Sequence, residues 1–111
     1  MKKINIIKSN NDFNRIIKNN KSFKFKDYII YIEKKKSSVY KFGFSVGKKV
    51  GNAVTRNKIK RRLKNIVDKK SYKNDFNCII IVGRGIISKN FEEMSRNLYD
   101  AFSVLDLMKE K

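Results

Sequence analysis

The stretch from residue 40 to residue 67, YKFGFSVGKKVGNAVTRNKIKRRLKNIV, decides the fold. Its opening alternates, with Tyr40, Phe42, Phe44 and Val46 on one face and Lys41, Gly43 and Ser45 on the other. That two-residue period predicts a strand over 39–47 with its aromatic face in the core. Truncating a core residue such as Phe44 would then cost about 3–5 kcal/mol. The opposite face is small and polar enough for a nucleic-acid backbone to come close. Gly47 and Gly51 bracket a loop, and Asn52 is placed to cap a helix. Beyond it the period changes. Ile59, Leu63, Ile66 and Val67 form one apolar stripe at helical spacing, Asn57, Lys60, Arg61 and Lys64 lie opposite, and Arg56 and Arg62 flank the stripe. A strand is thus followed by a two-faced helix, apolar toward a sheet and basic toward a ligand.

Working outward, Phe76–Val82 is a near-continuous apolar run, the pattern of a buried strand, and Cys78 fits there as a small core residue. Asn90 with Glu93 matches a capping pair for a last helix, whose core face is Met94, Leu98, Ala101, Phe102 and Leu105. On the N-terminal side, Ser9–Asp12 offers helix caps before Phe13, Ile16 and Ile17. Asn19-Asn20 can end that helix, since Asn tolerates the left-handed conformation. Residues 25–33 then alternate as a strand, with Tyr28, Ile30 and Ile32 on one side and Ile29 and Tyr31 on the other. The predicted order is helix, strand, strand, helix, strand, helix, with one further short strand near Ser22–Lys24. This is an α+β two-layer sandwich, helices on one mostly antiparallel sheet. Its central strand–helix–strand unit is right-handed by the general rule. The 111 residues contain no Pro and no linker, so residues 1–111 are taken as a single domain.

Charge narrows the function. Lys and Arg number 28 against 10 Asp and Glu, a formal +18, which favours a polyanionic partner over a small metabolite. Between Lys34 and Val67 there is no acid and there are 12 cations, so two-thirds of the excess sits in under a third of the chain. Only six cations are Arg, and Arg56, Arg61 and Arg62 fall within seven residues. Clustering of the planar, bidentate guanidinium in a Lys-rich chain fits phosphate recognition. Tyr28, Tyr31, Phe13 and Phe23 are candidate stacking platforms for single-stranded bases, although core packing accounts equally well for Phe13 and Tyr28.

Other chemistries lack their residues. His is absent, the ten acids are scattered, and no Cys, Asp or Glu group has metal-ligand spacing. Gly43-x-x-x-Gly47-Lys48-Lys49 is one residue short of a phosphate loop and lacks the hydroxyl after Lys. A lone Cys forms no internal disulfide, and no apolar run approaches the ~20 residues that span a bilayer, so a cytoplasmic setting without a membrane is expected.

The run KKVGNAVTRNKIKRR (48–62), preceded by Phe42-Gly43-Phe44-Ser45-Val46, resembles the bacterial ribonuclease P protein subunit, whose hallmark is an Arg-Asn-Arg core in a basic helix. The order of elements agrees along essentially the whole chain. The resemblance implies a chain that is not itself catalytic. It would bind the catalytic RNA and the 5′ leader of precursor tRNA while the RNA, with its Mg²⁺, performs the hydrolysis. The protein itself would hold no cofactor or metal and need no protein partner. Carried over, the ribozyme-facing set is Lys48, Lys49, Arg56, Asn57, Lys58, Lys60, Arg61, Arg62 and Lys64, and the leader cleft draws on Phe13, Ile17, Tyr31 and Ser45. Lys58 stands in place of the second Arg of the core, and Ile17 at a position commonly aromatic. The resemblance also implies a left-handed crossover, against the general rule. Small basic structural proteins of the ribosome share the composition and form the alternative; a protein-only nuclease or a membrane-surface helix fits less well.

Overall fold

The computed structural model describes residues 1–109. Helix α1 (Asn10–Asn19) leads into strands β1 (Ser22–Phe25), β2 (Tyr28–Lys34) and β3 (Tyr40–Val46). Helix α2 (Ala53–Asp68), strand β4 (Phe76–Val82) and helix α3 (Phe91–Val104) complete the order, with 3₁₀ turns at Lys3–Asn5, Lys48–Val50 and Arg84–Ser88. The strands form one sheet in the order β1-β2-β4-β3. β1–β2 and β2–β4 are antiparallel, and β3–β4 is parallel. The central place of β4 explains its unbroken apolar run: Cys78, Ile79 and Ile80 are fully buried although they alternate between faces.

The single strand expected over 25–33 is two strands. Lys26 takes a left-handed φ of 54° in a tight turn, so Phe25 closes β1 and Tyr28 opens β2 in register with it. The short strand expected near Ser22–Lys24 is this β1. α1 ends where the Asn pair predicts, but not by the expected conformation. Asn20 is extended (φ −131°), and its side-chain amide donates to the Ile16 carbonyl instead (2.8 Å), satisfying one of the orphan acceptors of the last turn.

α2 and α3 cover one face of the sheet. Ile59, Leu63, Ile66 and Val67 of α2 and Met94, Leu98, Ala101 and Phe102 of α3 join Tyr28, Ile30, Phe42, Cys78 and Ile80 in the main core. Leu105, expected on the core face of α3, lies at its C-cap and packs half-buried against that core. Asn52 Oδ1 accepts from Thr55 N at 2.9 Å, and Asn90 and Glu93 form a complete capping box, so both helices start where their polar residues predict. α1 lies on the other face. Its Ile16, with Ile7 from the N-terminal segment, packs on Ile79 in a second, smaller cluster.

The hand of the β3–α2–β4 crossover can be read from one residue. Phe42 turns its ring into the main core beneath α2, and its carbonyl accepts from Ile7 N (2.9 Å) along the outer edge of β3, away from β4. For an L residue those two directions fix the geometry: with α2 in front and β3 running upward, β4 lies to the left. The crossover is left-handed, against the general preference.

Phe42 is fully buried, edge-on to Phe76 and Tyr72 and tilted against Phe102. Phe44, expected in the core, is only half-buried and borders an open cleft. Urea titration of Phe42→Ala is therefore expected to give a loss of about 3–5 kcal/mol, and Phe44→Ala clearly less, because only the first leaves a closed cavity.

Candidate nucleic-acid interface

α1, β3 and α2 enclose a cleft of about 500 Å³. Phe13, Asn14 and Ile17 of α1 form one wall, Phe44, Ser45 and Val46 of β3 the floor, and Lys60 and Lys64 of α2 the other wall. Ile6, Ile7, Lys8 and Asn10 complete the rim. An apolar wall faces a cationic one across a strand backbone, which suits a strand of nucleic acid whose bases meet the ring of Phe13 while its phosphates meet ammonium groups.

The floor explains a small residue. The Phe13 ring rests directly on Gly43, where a Cβ would stand 2.6 Å from the Phe13 Cζ and 3.2 Å from the Ile7 Cβ. The small face of β3 is therefore partly filled by the protein's own aromatic ring, and the close approach expected along the whole strand is open only near Ser45, which is half-buried in the cleft.

Of the other predicted platforms, Tyr28 is a core residue: it is 1% exposed and its hydroxyl donates to the Met94 carbonyl (3.0 Å). Burial pushes its phenol pKa up. Phe23 stacks on Phe25 against the main core, on the opposite side of the sheet. Tyr31 shares the small cluster with Phe13 and Ile17 but does not line the cleft. Phe13, Ile17 and Ser45 thus come together, with Tyr31 beside them.

The basic side of α2 divides. Lys60 and Lys64 turn toward the cleft, while Asn57, Lys58 and Arg61 are open to solvent and Arg56 and Arg62 are half-buried. Among the described residues, no carboxylate forms an ion pair with any cation of α2; the pairs join Met1 with Asp68, Arg15 with Asp12 and Glu33, and Lys73 with Asp106. Arg56 Nε is buried with no acceptor among the described residues. Lys48 and Lys49 sit before α2 in a turn that lines, with Arg84, Val50, Ile81 and Val82, a separate depression. Lys8, Asn10 and Asn14 at the cleft were not legible beforehand, since isolated polar residues in and before a helix carry no periodic signal.

Comparison with known proteins settles which small basic protein this is. A family model described as Ribonuclease P matches residues 1–106. The chain belongs to that family. It is 33% identical over 113 residues to the ribonuclease P protein component of Streptococcus pyogenes serotype M12, spanning 99% of this chain and 93% of the relative. It is 34% identical over 112 residues to that of Streptococcus pneumoniae, spanning 99% and 91%. The Staphylococcus aureus RNase P protein structure superposes with a TM-score of 0.85 at 29% identity, covering 95% of this chain and 98% of the other. The Thermotoga maritima protein shares the fold, with a TM-score of 0.78 at 22% identity. The chain is accordingly a protein component of the ribonucleoprotein that matures tRNA 5′ ends, and the RNA of that enzyme is its catalyst. Among the described residues no helix is long and apolar enough to cross a membrane.

Two outcomes test this geometry. Gly43→Ala is expected to displace the Phe13 ring and cost about 1–3 kcal/mol in denaturant titration, with the shift of that ring visible in its aromatic NMR signals. Glu33, forked by Arg15, has its carboxyl held below the usual range by that bond and by the Asn77 amide, against the opposing effect of desolvation. A lowered folded-state pKa stabilises above the unfolded value and loses that contribution as pH falls through the folded one. The stability gap between the native chain and Glu33→Gln should therefore be widest at neutral pH and narrow as the pH falls below the usual carboxylate range in urea titrations.

Proposed function

We propose that the outer face of α2 grips the catalytic RNA of ribonuclease P, and that the cleft holds the 5′ leader of precursor tRNA. The carrying observation is the cleft itself. It joins the apolar wall of Phe13 and Ile17 to the ammonium groups of Lys60 and Lys64 over Ser45, while Arg61, Lys58 and Asn57 remain outside it on the same helix. Arg56, Arg62, Lys48 and Lys49 extend the outer set. In this reading one helix faces two RNAs: its outer side the ribozyme, its inner side the substrate strand. Tyr31, half-buried beside Phe13 and Ile17, extends the apolar wall.

The division of labour follows from side-chain chemistry. Cations and a ring supply affinity and position but no general base, so Mg²⁺ belongs to the partner RNA, and this chain, in the cytoplasm where precursors arise, lowers the amount that RNA requires. Neutralising RNA phosphates with the α2 cations would offset the repulsion between ribozyme and precursor that otherwise demands high cation concentrations.

Reconstitution with the cognate RNA tests the reading. The purified chain alone should leave precursor tRNA intact, and adding it to the RNA should restore cleavage at low Mg²⁺; no gain over RNA alone would refute the assignment. Arg61→Ala should weaken ribozyme binding and flatten its log–log salt dependence by about 0.7–0.9 for one lost phosphate contact, with an unchanged melting temperature.

A further inference from the structure

α1 carries the apolar wall of the cleft, and a feature on its opposite side determines where that wall stands. Three of the six arginines lie outside the basic helix, and Arg15 is one of them. Its Nε and Nη2 donate to the two carboxylate oxygens of Glu33 on β2, at 3.1 and 3.0 Å, and its Nη1 donates to Asp12 at 2.6 Å. Glu33 is fixed in turn by the side-chain amide of Asn77 on β4, at 2.8 Å. Asn77 is the only polar residue fully buried among the described residues. The arrangement is a planar fork on a carboxylate, which a lysine cannot reproduce.

Its position gives it leverage. Around α1, Ile16 points down onto Ile79, Phe13 and Ile17 lie to one side of it, and Arg15 lies roughly 100° to the other at helical spacing. On the cleft side the helix is held by apolar packing: Ile16 and Ile7 lie on Ile79 with Phe13, Ile17, Tyr31 and Ile81 around them, and the Phe13 ring is seated on Gly43. The fork holds the other flank. It ties the flank of α1 away from the cleft to two strands, so a roll of the helix must break it.

We propose that Arg15 and Glu33 are positioning residues for leader recognition: their bidentate pair sets the roll of α1 and thereby the placement of Phe13 and Ile17 at the cleft. The pair touches no RNA. Both members are neutralised within the protein, and neither lines the cleft. This inference rests on the assignment of the leader to the cleft.

The test uses the holoenzyme reconstituted with cognate RNA and compares affinities for precursor tRNA and mature tRNA. Glu33→Gln keeps the shape and the partner of Asn77, and Arg15→Lys keeps the charge but loses the fork. Both are expected to lower precursor affinity about tenfold, as a sub-ångström to 1 Å misplacement of a binding wall does. Mature tRNA affinity and assembly with the RNA subunit should stay unchanged, and the reversed pair Arg15→Glu with Glu33→Arg should recover part of the loss. Equal losses for both tRNAs, or precursor affinity within about twofold of the native holoenzyme for both variants, would overturn the proposal. Phe13→Ala separates the two readings. If it lowers precursor affinity selectively while the Arg15 and Glu33 variants do not, the positioning role falls and the cleft assignment stands. If Phe13→Ala has no selective effect, both fall.

Discussion

Burial of Ile59, Leu63, Ile66 and Val67 against the sheet is the contact on which the remainder depends. α2 is otherwise a helix working against itself. Arg56, Lys60 and Lys64 repeat at four-residue spacing, as do Lys58 and Arg62, and each such like-charge pair is unfavourable by roughly 0.2–0.5 kcal/mol. Its first turn holds no acid to complement the helix dipole. A 16-residue helix of this composition would not persist alone in water. The apolar stripe holds it in the fold and so keeps a row of cations together with no carboxylate to neutralise them. An unfavourable local arrangement of this kind is what a functional surface looks like, since the missing counter-charge is supplied from outside.

The same helix also explains why the fold places a cleft where it does. The left-handed crossover carries the chain from β3 through α2, over the main core, to β4, with Lys60 and Lys64 of α2 beside β3 at the cleft. The N-terminal segment meets that edge through Ile6 and Ile7, and α1 continues onto the opposite face of the sheet. A concave surface results between an aliphatic and aromatic helix on one side and a cationic helix on the other. β3 lies between them, and Gly43 within it admits the Phe13 ring. Family membership and this geometry agree on a protein that positions RNA and leaves bond cleavage to its partner.

The two faces of the sheet are held in different ways. The main core is extensive and aromatic, with Phe42 edge-on to Tyr72 and Phe76, Tyr72 edge-on to Phe102, and Phe42 tilted against Phe102. On the α1 face the buried apolar side chains of the cluster are Ile7, Ile16 and Ile79, and a directed polar contact joins the helix to the sheet beside them. Dispersion and solvent exclusion fix depth, whereas a forked ion pair fixes angle. The helix that forms the apolar wall of the cleft is thus the one tied to the sheet by a forked ion pair.

Much of this was determined by the sequence alone. Alternation in 40–46, the stripe at 59, 63, 66 and 67, the capping residues Asn52, Asn90 and Glu93, and the acid-free basic run specify strand, helices and a basic helix face, because period and charge are local properties. The turn at Lys26 leaves no mark in the sequence because an ordinary side chain occupies a left-handed position there, with no Gly or Asn. Tertiary structure decided which aromatic residues serve the site. Tyr28, Tyr31, Phe13 and Phe23 look alike in a linear chain; sheet register sends Tyr28 and Phe23 into one core, and the packing of α1 on the other face brings Phe13 to the cleft. It also decided the hand of the crossover and the Arg15–Glu33–Asn77 contact. Those residues are 18 and 44 positions apart from their partner, and no periodicity along the chain records a pairing made across space.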